Sequence, residues 1–483
     1  MKKYVLSTLM ITLVSGFLSL FLYFNNSDIL GFNEIFPLLM GSVVLGLTIY
    51  LILLVIKVNR NKAALLAGIL VLTLLNFVHL ENLFNIILPS LSWYQQLPLI
   101  LFVVAHVMYF INRYLSDNMA ETITMGVTVA MASLLVVNGI GAVPSIINKM
   151  NVAEVKHDEE LDVNVDNKDL PNIYVLLWDE MASFNQMEKT FGYDNIMLKE
   201  FLEENHFTNS LESYNYSVST NLVTANYVNY DYVLDKNSSV AERDKYRNEG
   251  KLYTLLEKLG YDIQMLSEDI NYNKKFEVIL NKEDMNESEG KTIDGQDIKG
   301  IFFENTVLSY FMKDKAEDIN SKFKKKIDII EYVKKESEEN EKHTFILQHL
   351  ILPHQPFLVD ENGAQISGLD MNNWSDKDVY KGQYIYASKL MTQQIEHIIK
   401  HDPTSLIITM SDHGARATTN HSVIGDMKMD YKDMSNIFNA FYYNKEDLSD
   451  YKDHSAVNTL RLLLNHLFDL NLDVVEVPKY DEE

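Results

Sequence analysis

Five apolar stretches fall within the first 150 residues of this 483-residue chain, and no other feature restricts its folding so strongly. They run from about Tyr4 to Phe24, Ile35 to Ile56, Ala63 to Val78, Leu97 to Ile111 and Thr122 to Val143. Each approaches the roughly 20 residues that carry a helix across a bilayer, where the backbone must satisfy its own hydrogen bonds. The first has no small-residue cleavage site, and four further stretches follow it. It therefore reads as a retained span rather than a leader.

Basic residues orient these spans. Lys2 and Lys3 precede the first, Lys57, Arg60 and Lys62 follow the second, and Arg113 follows the fourth, whereas the loops after spans one and three carry no Lys or Arg. The positive-inside rule then places the N-terminus in the cytoplasm, and an odd number of crossings places everything after Val143 outside. His79 and His106 sit near span ends, at interface depth. Trp93 and Tyr94 read as interfacial anchors.

The remaining roughly 310 residues suffice for one substantial domain. They hold most of the formal charge of -25. Such a surface argues against a nucleic-acid partner, which needs phosphate neutralisation, and suits solubility or bound divalent cations. There are no cysteines, so disulfides, thiolate metal sites and a cysteine nucleophile are excluded. Residues 151–170 are acidic and without apolar periodicity, which predicts a linker.

Beyond the linker, Pro171 to Trp178 is a short apolar run cut off by Asp179 and Glu180. Thr344 to Leu352 runs likewise into Pro353-His354-Gln355-Pro356-Phe357, and Ser405 to Met410 into Ser411-Asp412-His413-Gly414. These are the marks of strands buried on both faces. Helical segments lie between them, at Leu252 to Leu259, Lys322 to Ser337 and Tyr384 to Ile399. The expected fold class is therefore a helical membrane domain of about five spans followed by an α/β domain with a mainly parallel central sheet. In such sheets ligands bind beyond the carboxyl ends of the strands, so all three polar terminations should meet on one rim. Carboxylate and imidazole suit a divalent metal such as zinc or manganese.

These residues resemble the sulfatase-like branch of the alkaline phosphatase superfamily, in particular its membrane-anchored members such as lipoteichoic acid synthase and the lipid A phosphoethanolamine transferases. The resemblance spans roughly Pro171 to Val474 in motif order. It implies a catalytic domain over residues 171–475, between the membrane anchor (1–150) with its linker and a short C-terminal tail (476–483). It further implies Asp179, Asp412 and His413 as metal ligands and His354 as the histidine touching the transferred phosphoryl group. The run Tyr216 to Tyr232 lies over the family's nucleophile segment, with Thr220 on the reactive position, where its alkoxide would also bind the metal; Ser219 and Thr224 are the fallbacks. Arg416 is a candidate phosphate clamp, and Glu180 a candidate helper of the metal. Ser455 to Arg461 looks like a related envelope-sequence element, read as packing.

What the resemblance implies is a metal-dependent phosphotransferase of a bacterial cell membrane. It would move a glycerol phosphate or phosphoethanolamine head group from a membrane phospholipid, through a phospho-threonine, to a surface glycan or glycolipid. Mn²⁺ or Zn²⁺ would be the cofactor, or else Mg²⁺ or Ca²⁺. A sulfatase is disfavoured, because it needs a Cys or Ser followed at short spacing by Arg. Hydrolysis of a phosphoester and a non-catalytic role in the envelope are both compatible with the same fold.

Overall fold

The computed structural model describes residues 2–27, 30–87, 91, 93–150, 170–268, 272–280, 292–293, 296–297, 302–303, 305–308, 319–339, 343–366, 376–416 and 431–478. The linker at 151–169 lies outside the described residues. The chain forms two units, one of residues 1–152 with 287–316, the other of 153–286 with 317–483.

The first unit contains α1 (Lys2–Asn25), α2 (Phe32–Val55), α3 (Arg60–Leu75), α4 (Phe77–Ile87), α5 (Trp93–Tyr114) and α6 (Asp117–Met150). Four of them, α1, α2, α5 and α6, are each long and apolar enough to cross a membrane. The pair Arg60–Leu75 and Phe77–Phe84, bent by 76°, makes a fifth if it is one broken span rather than a re-entrant loop. Helix α1 packs against α2, α3 and α6. At the α1–α2 crossing a Cβ on Gly46 would lie 1.9 Å from Ser15 Oγ, so only glycine permits this approach. Small residues serve this purpose in lipid, where packing rather than water exclusion joins helices.

The bend frees backbone groups that lipid cannot satisfy. Chain from 287–316 satisfies two of them: Val78 N–H donates to Asn305 O at 3.3 Å, and Val307 N–H donates to Leu74 O at 3.0 Å. Phe302 is buried against Val71 and Leu75.

The second unit is built on a six-stranded sheet in the order β2-β8-β7-β1-β6-β3. These are β1 (Ile173–Trp178), β2 (Thr208–Ser210), β3 (Asp262–Ser267), β6 (Thr344–Leu350), β7 (Leu406–Met410) and β8 (Asn439–Tyr443). The short pair β4 (Thr292–Ile293) and β5 (Gln296–Asp297) belongs to the first unit. Strands β7, β1, β6 and β3 are parallel, while β8 and β2 add antiparallel at one edge. Successive strand side chains point to opposite faces. Tyr174, Leu176 and Trp178 thus enter one core, and Ile173, Val175 and Leu177 the other. Each such burial contributes about 1.5–3 kcal/mol. The buried amides of Gln348 and Gln394 answer each other, at 2.7 and 3.3 Å, so that β6 can carry a polar side chain into its core.

Candidate metal centre and active site

The three polar terminations predicted from sequence do meet. Strand β1 delivers Asp179 and β7 delivers Asp412 and His413, and one ligand atom from each lies within 4.8 Å of the others. His413 Nε2 is 3.4 Å from Asp412 Oδ2 and 3.8 Å from Asp179 Oδ1. Asp412 and His413 have no solvent exposure at all.

Each of these side chains is satisfied on one side and orphaned on the other. His413 Nδ1–H donates to Gly414 O at 2.8 Å, which fixes the tautomer and leaves a lone pair on Nε2. Asp412 Oδ1 accepts from Glu180 N–H at 3.1 Å. The opposing atoms, Asp179 Oδ1, Asp412 Oδ2 and His413 Nε2, are buried without a hydrogen-bond partner among the described residues. Three acceptors turned on one point, with no donor among those residues, are what a bound cation would satisfy. Tetrahedral ligand bonds of about 2.0–2.1 Å would need neighbouring ligand atoms to be about 3.3 Å apart. The donor set therefore fits a divalent metal held by one imidazole and two carboxylates, with a fourth position open.

Gly414 is required here for space, since a Cβ would lie 2.2 Å from Gln186 Oε1. That amide bonds both sides of Ala415, accepting from its N–H at 2.8 Å and donating to its carbonyl at 2.9 Å. Gln186 thereby holds the turn after the ligand pair.

Glu180 does not join the three ligands. It adopts the left-handed conformation, with φ 63°, which costs a non-glycine residue on the order of 1–2 kcal/mol. Its groups explain why the conformation persists. Besides the N–H on Asp412, its carbonyl accepts from Tyr380 OH at 2.7 Å and its Oε1 from Arg416 N–H at 2.6 Å. Glu180 is a scaffold between two strand ends.

His354 lies between two cis prolyl bonds, Leu352–Pro353 and Gln355–Pro356. Its N–H donates to Asp179 O at 3.1 Å, and Gln383 donates to its carbonyl at 3.1 Å. Nδ1–H donates to Gln355 O, so Nε2 faces the site, 3.3 Å from Arg416 Nη1 and 3.6 Å from Glu180 Oε2. Burial alone would lower this imidazole's pKa, but Asp179 and Glu180 outweigh both burial and Arg416, and the net shift is upward. Burial would conversely raise the Asp179 carboxyl. The imidazoles of His354, His349 and His413 reverse that effect and hold it well below the usual carboxylate range.

Thr220 is the first residue of the helix Thr220–Val228, with Ser219 as N-cap. Among the described residues its hydroxyl has no hydrogen-bond partner. Arg416 Nη2 donates to Val218 O at 3.0 Å, and Asn215 Nδ2 donates to Asp412 O at 2.8 Å. The segment before Thr220 is thus bonded directly to residues of the ligand turn. The fallback hydroxyls are otherwise engaged: Thr224 Oγ1 is buried and donates to Thr220 O at 2.7 Å, and Ser219 Oγ accepts from Arg243 at 3.4 Å. Ser455 to Arg461 braces this region, as Ala456 N–H donates to Asn215 Oδ1 at 3.2 Å and Arg461 donates to Tyr230 O at 2.7 Å.

Sequence reasoning missed His349 and Tyr272. The parallel register sets His349 opposite Leu177, two residues before Asp179 on the same face. Burial pushes the Tyr272 phenol well above its ordinary value, so it stays a donor, and its OH is 2.9 Å from His349 Nδ1. His349 Nε2–H then faces Asp179 Oδ2 at 3.4 Å, which leaves Oδ1 for a cation. A histidine near the carboxyl end of a largely apolar strand was the available signal. Tyr272→Phe is expected to weaken metal affinity by roughly 10–100-fold, the usual cost of losing an outer partner of a ligand. Equilibrium dialysis against zinc checks this, and unchanged affinity would remove Tyr272 from the ligand network.

No family model and no curated protein matches the chain. Among solved structures, the lipooligosaccharide phosphoethanolamine transferase A of Neisseria meningitidis matches at 12% identity and a TM-score of 0.44, covering 96% of this chain and 95% of that one. The C-terminal periplasmic domain of EptC from Escherichia coli, in complex with zinc, matches at 12% identity and a TM-score of 0.42, covering 67% and 90%. A putative sulfatase from Bacteroides thetaiotaomicron matches at 13% and 0.40, covering 63% and 72%. Structural neighbours thus include phosphoethanolamine transferases and sulfatases. These are distant likenesses, and the residue roles proposed below rest on the geometry of this chain.

Proposed function

We propose that this chain is a membrane-anchored, metal-dependent phosphotransferase that moves a phospholipid head group by way of Thr220. The observation that carries this reading is the set of three buried, orphaned ligand atoms converging from two strand ends, beside a segment that presents an unbonded hydroxyl at a helix start. When bound by Asp179, Asp412 and His413, a divalent cation would supply Lewis acidity, favouring the threonine alkoxide and polarising a phosphoryl oxygen.

Thr220 Oγ gives up its proton to water and attacks the phosphorus of the lipid phosphodiester, and the bond from phosphorus to the diacylglycerol oxygen breaks. His354, whose pKa the carboxylates of Asp179 and Glu180 shift upward, gives that oxygen its proton from Nε2. The head group stays on Thr220 as a phosphodiester. An acceptor hydroxyl on a surface glycan or glycolipid then attacks phosphorus, its proton passing to the vacated Nε2, and Thr220 leaves with a proton from water. Arg416 pairs with the non-bridging phosphoryl oxygens. The helix that begins at Thr220 presents its positive end to the same anion.

A lipid donor also accounts for the apolar helices on the same chain. Glycerol phosphate is the first choice of moved group and phosphoethanolamine the second. The cell envelope of a bacterium, with the catalytic domain outside, is the setting this reading requires.

The test is peptide mass spectrometry of the full chain after exposure, with a divalent metal, to vesicles of phosphatidylglycerol or phosphatidylethanolamine. The expected result is an adduct on Thr220 whose mass names the moved group. An adduct on Ser219 or Thr224 instead would overturn the assignment of the nucleophile, and turnover with no covalent adduct on trapping would overturn the two-step path.

A further inference from the structure

A second group of metal-ligating side chains lies in the catalytic unit, away from the site described above. His397 and His401 occupy the last two turns of the helix Lys377–His401, and Glu338 follows the end of the helix Ile319–Glu336. One ligand atom from each lies within 4.8 Å of the others. We infer that Glu338, His397 and His401 form a second, structural site for a divalent cation of the zinc type, with water completing the coordination.

Residues four apart on a helix share a face, which brings the two imidazoles together. Their rings are 4.2 Å apart. His401 Nδ1–H donates to His397 O at 3.0 Å, which fixes the tautomer and turns a lone pair outward on Nε2. His397 Nε2 faces Glu338 Oε1 at 3.0 Å, close to the separation of two ligands on one tetrahedral ion. Two imidazoles and a carboxylate are the ligand types zinc prefers when no thiolate is offered. The position at a helix C-terminus, where the backbone carbonyls gather negative potential, and the net charge of -25 favour a cation further.

The site is separate from the active centre. Gln383, which bonds His354 O, stands on the same helix, and His397 follows it by 14 residues, about 21 Å at 1.5 Å per residue. A cation here would pin the chain after one helix to the far end of another, the one whose first turns hold Glu180 and His354 through Tyr380 and Gln383. Its role is to fix that helix rather than to react.

Zinc alone is the probe, titrated into the metal-stripped full chain in detergent, with bound metal counted by mass spectrometry. The wild type should take two equivalents. His397→Ala/His401→Ala should take one and keep its turnover in excess metal. His413→Ala should also take one, and its zinc-edge absorption spectrum should show an ion bound by two imidazoles. Glu338→Gln should weaken the second equivalent by more than the roughly 10–100-fold expected of an outer-shell partner. A His413→Ala protein that binds no zinc, or a His397→Ala/His401→Ala protein that binds as much and as tightly as wild type, would reduce the cluster to a histidine–glutamate ion pair. These outcomes do not depend on what the active centre does. Should the double variant fail to fold, the absorption spectrum of zinc retained by His413→Ala decides alone.

Discussion

Thr220→Ala is expected to lose head-group transfer by about 10⁴-fold or more, the scale on which removing a covalent nucleophile acts. The fold should tolerate the change. The hydroxyl has no hydrogen-bond partner among the described residues and the capping position belongs to Ser219, so stability should move by no more than about 0.5 kcal/mol. Thr224→Ala should do the reverse. Its Oγ1 is buried and donates to Thr220 O, so removing it costs about 1 kcal/mol while turnover stays within tenfold. Rates with a fluorescent phospholipid, together with melting curves, separate the two variants. A Thr220→Ala protein that keeps turnover within tenfold of wild type would end the proposal for this residue, and loss of turnover in Ser219→Ala alone would transfer it.

Withdrawing the metal should produce the second large effect, and it distinguishes two variants of the ligand set. A cation held at 1,000 times its Kd stabilises the native state by about 4 kcal/mol, which a chelator removes. His413→Ala should neither retain metal nor respond to the chelator. Asp412→Asn should also lose the metal response, yet in chelator it should melt above chelated wild type. The reason is electrostatic: without a cation, Asp179 and Asp412 confront each other within 4.8 Å in a buried site. That repulsion is on the order of 3 kcal/mol at an effective dielectric of 20. The asparagine removes it and can still accept from Glu180 N–H. Melting curves with and without zinc and chelator check both claims. If zinc raises the melting temperature of Asp412→Asn as much as that of wild type, Asp412 is not a ligand.

Much of the architecture was legible because local rules decided it. Apolar length marked the spans, and apolar runs ending in acids or histidines marked β1, β6 and β7 to within a residue or two. The helix forecast at Tyr384 to Ile399 lies inside Lys377–His401, and that forecast at Lys322 to Ser337 overlaps Ile319–Glu336. The third apolar stretch was legible only in part. Its hydropathy suggested a span, while the 76° bend near Asn76 depends on partners for Leu74 and Val78 that come from residues more than 200 positions away.

The site divides in the same way. That Asp179, Asp412 and His413 belong together follows from where their strands stop, since parallel strands put their carboxyl ends on one rim. The sequence by itself thus determined the apolar spans, the sheet class and which strand-end side chains share a rim. Only the tertiary structure decided what surrounds them. Glu180 became a scaffold through its left-handed turn, and His349 entered through a register that no local pattern encodes. Gln186, Asn215 and Tyr272 were invisible in the sequence because each acts on a residue far along the chain. Periodicity and strand ends are read from neighbours in sequence, whereas a ligand's tautomer and its orphaned lone pair depend on neighbours in space.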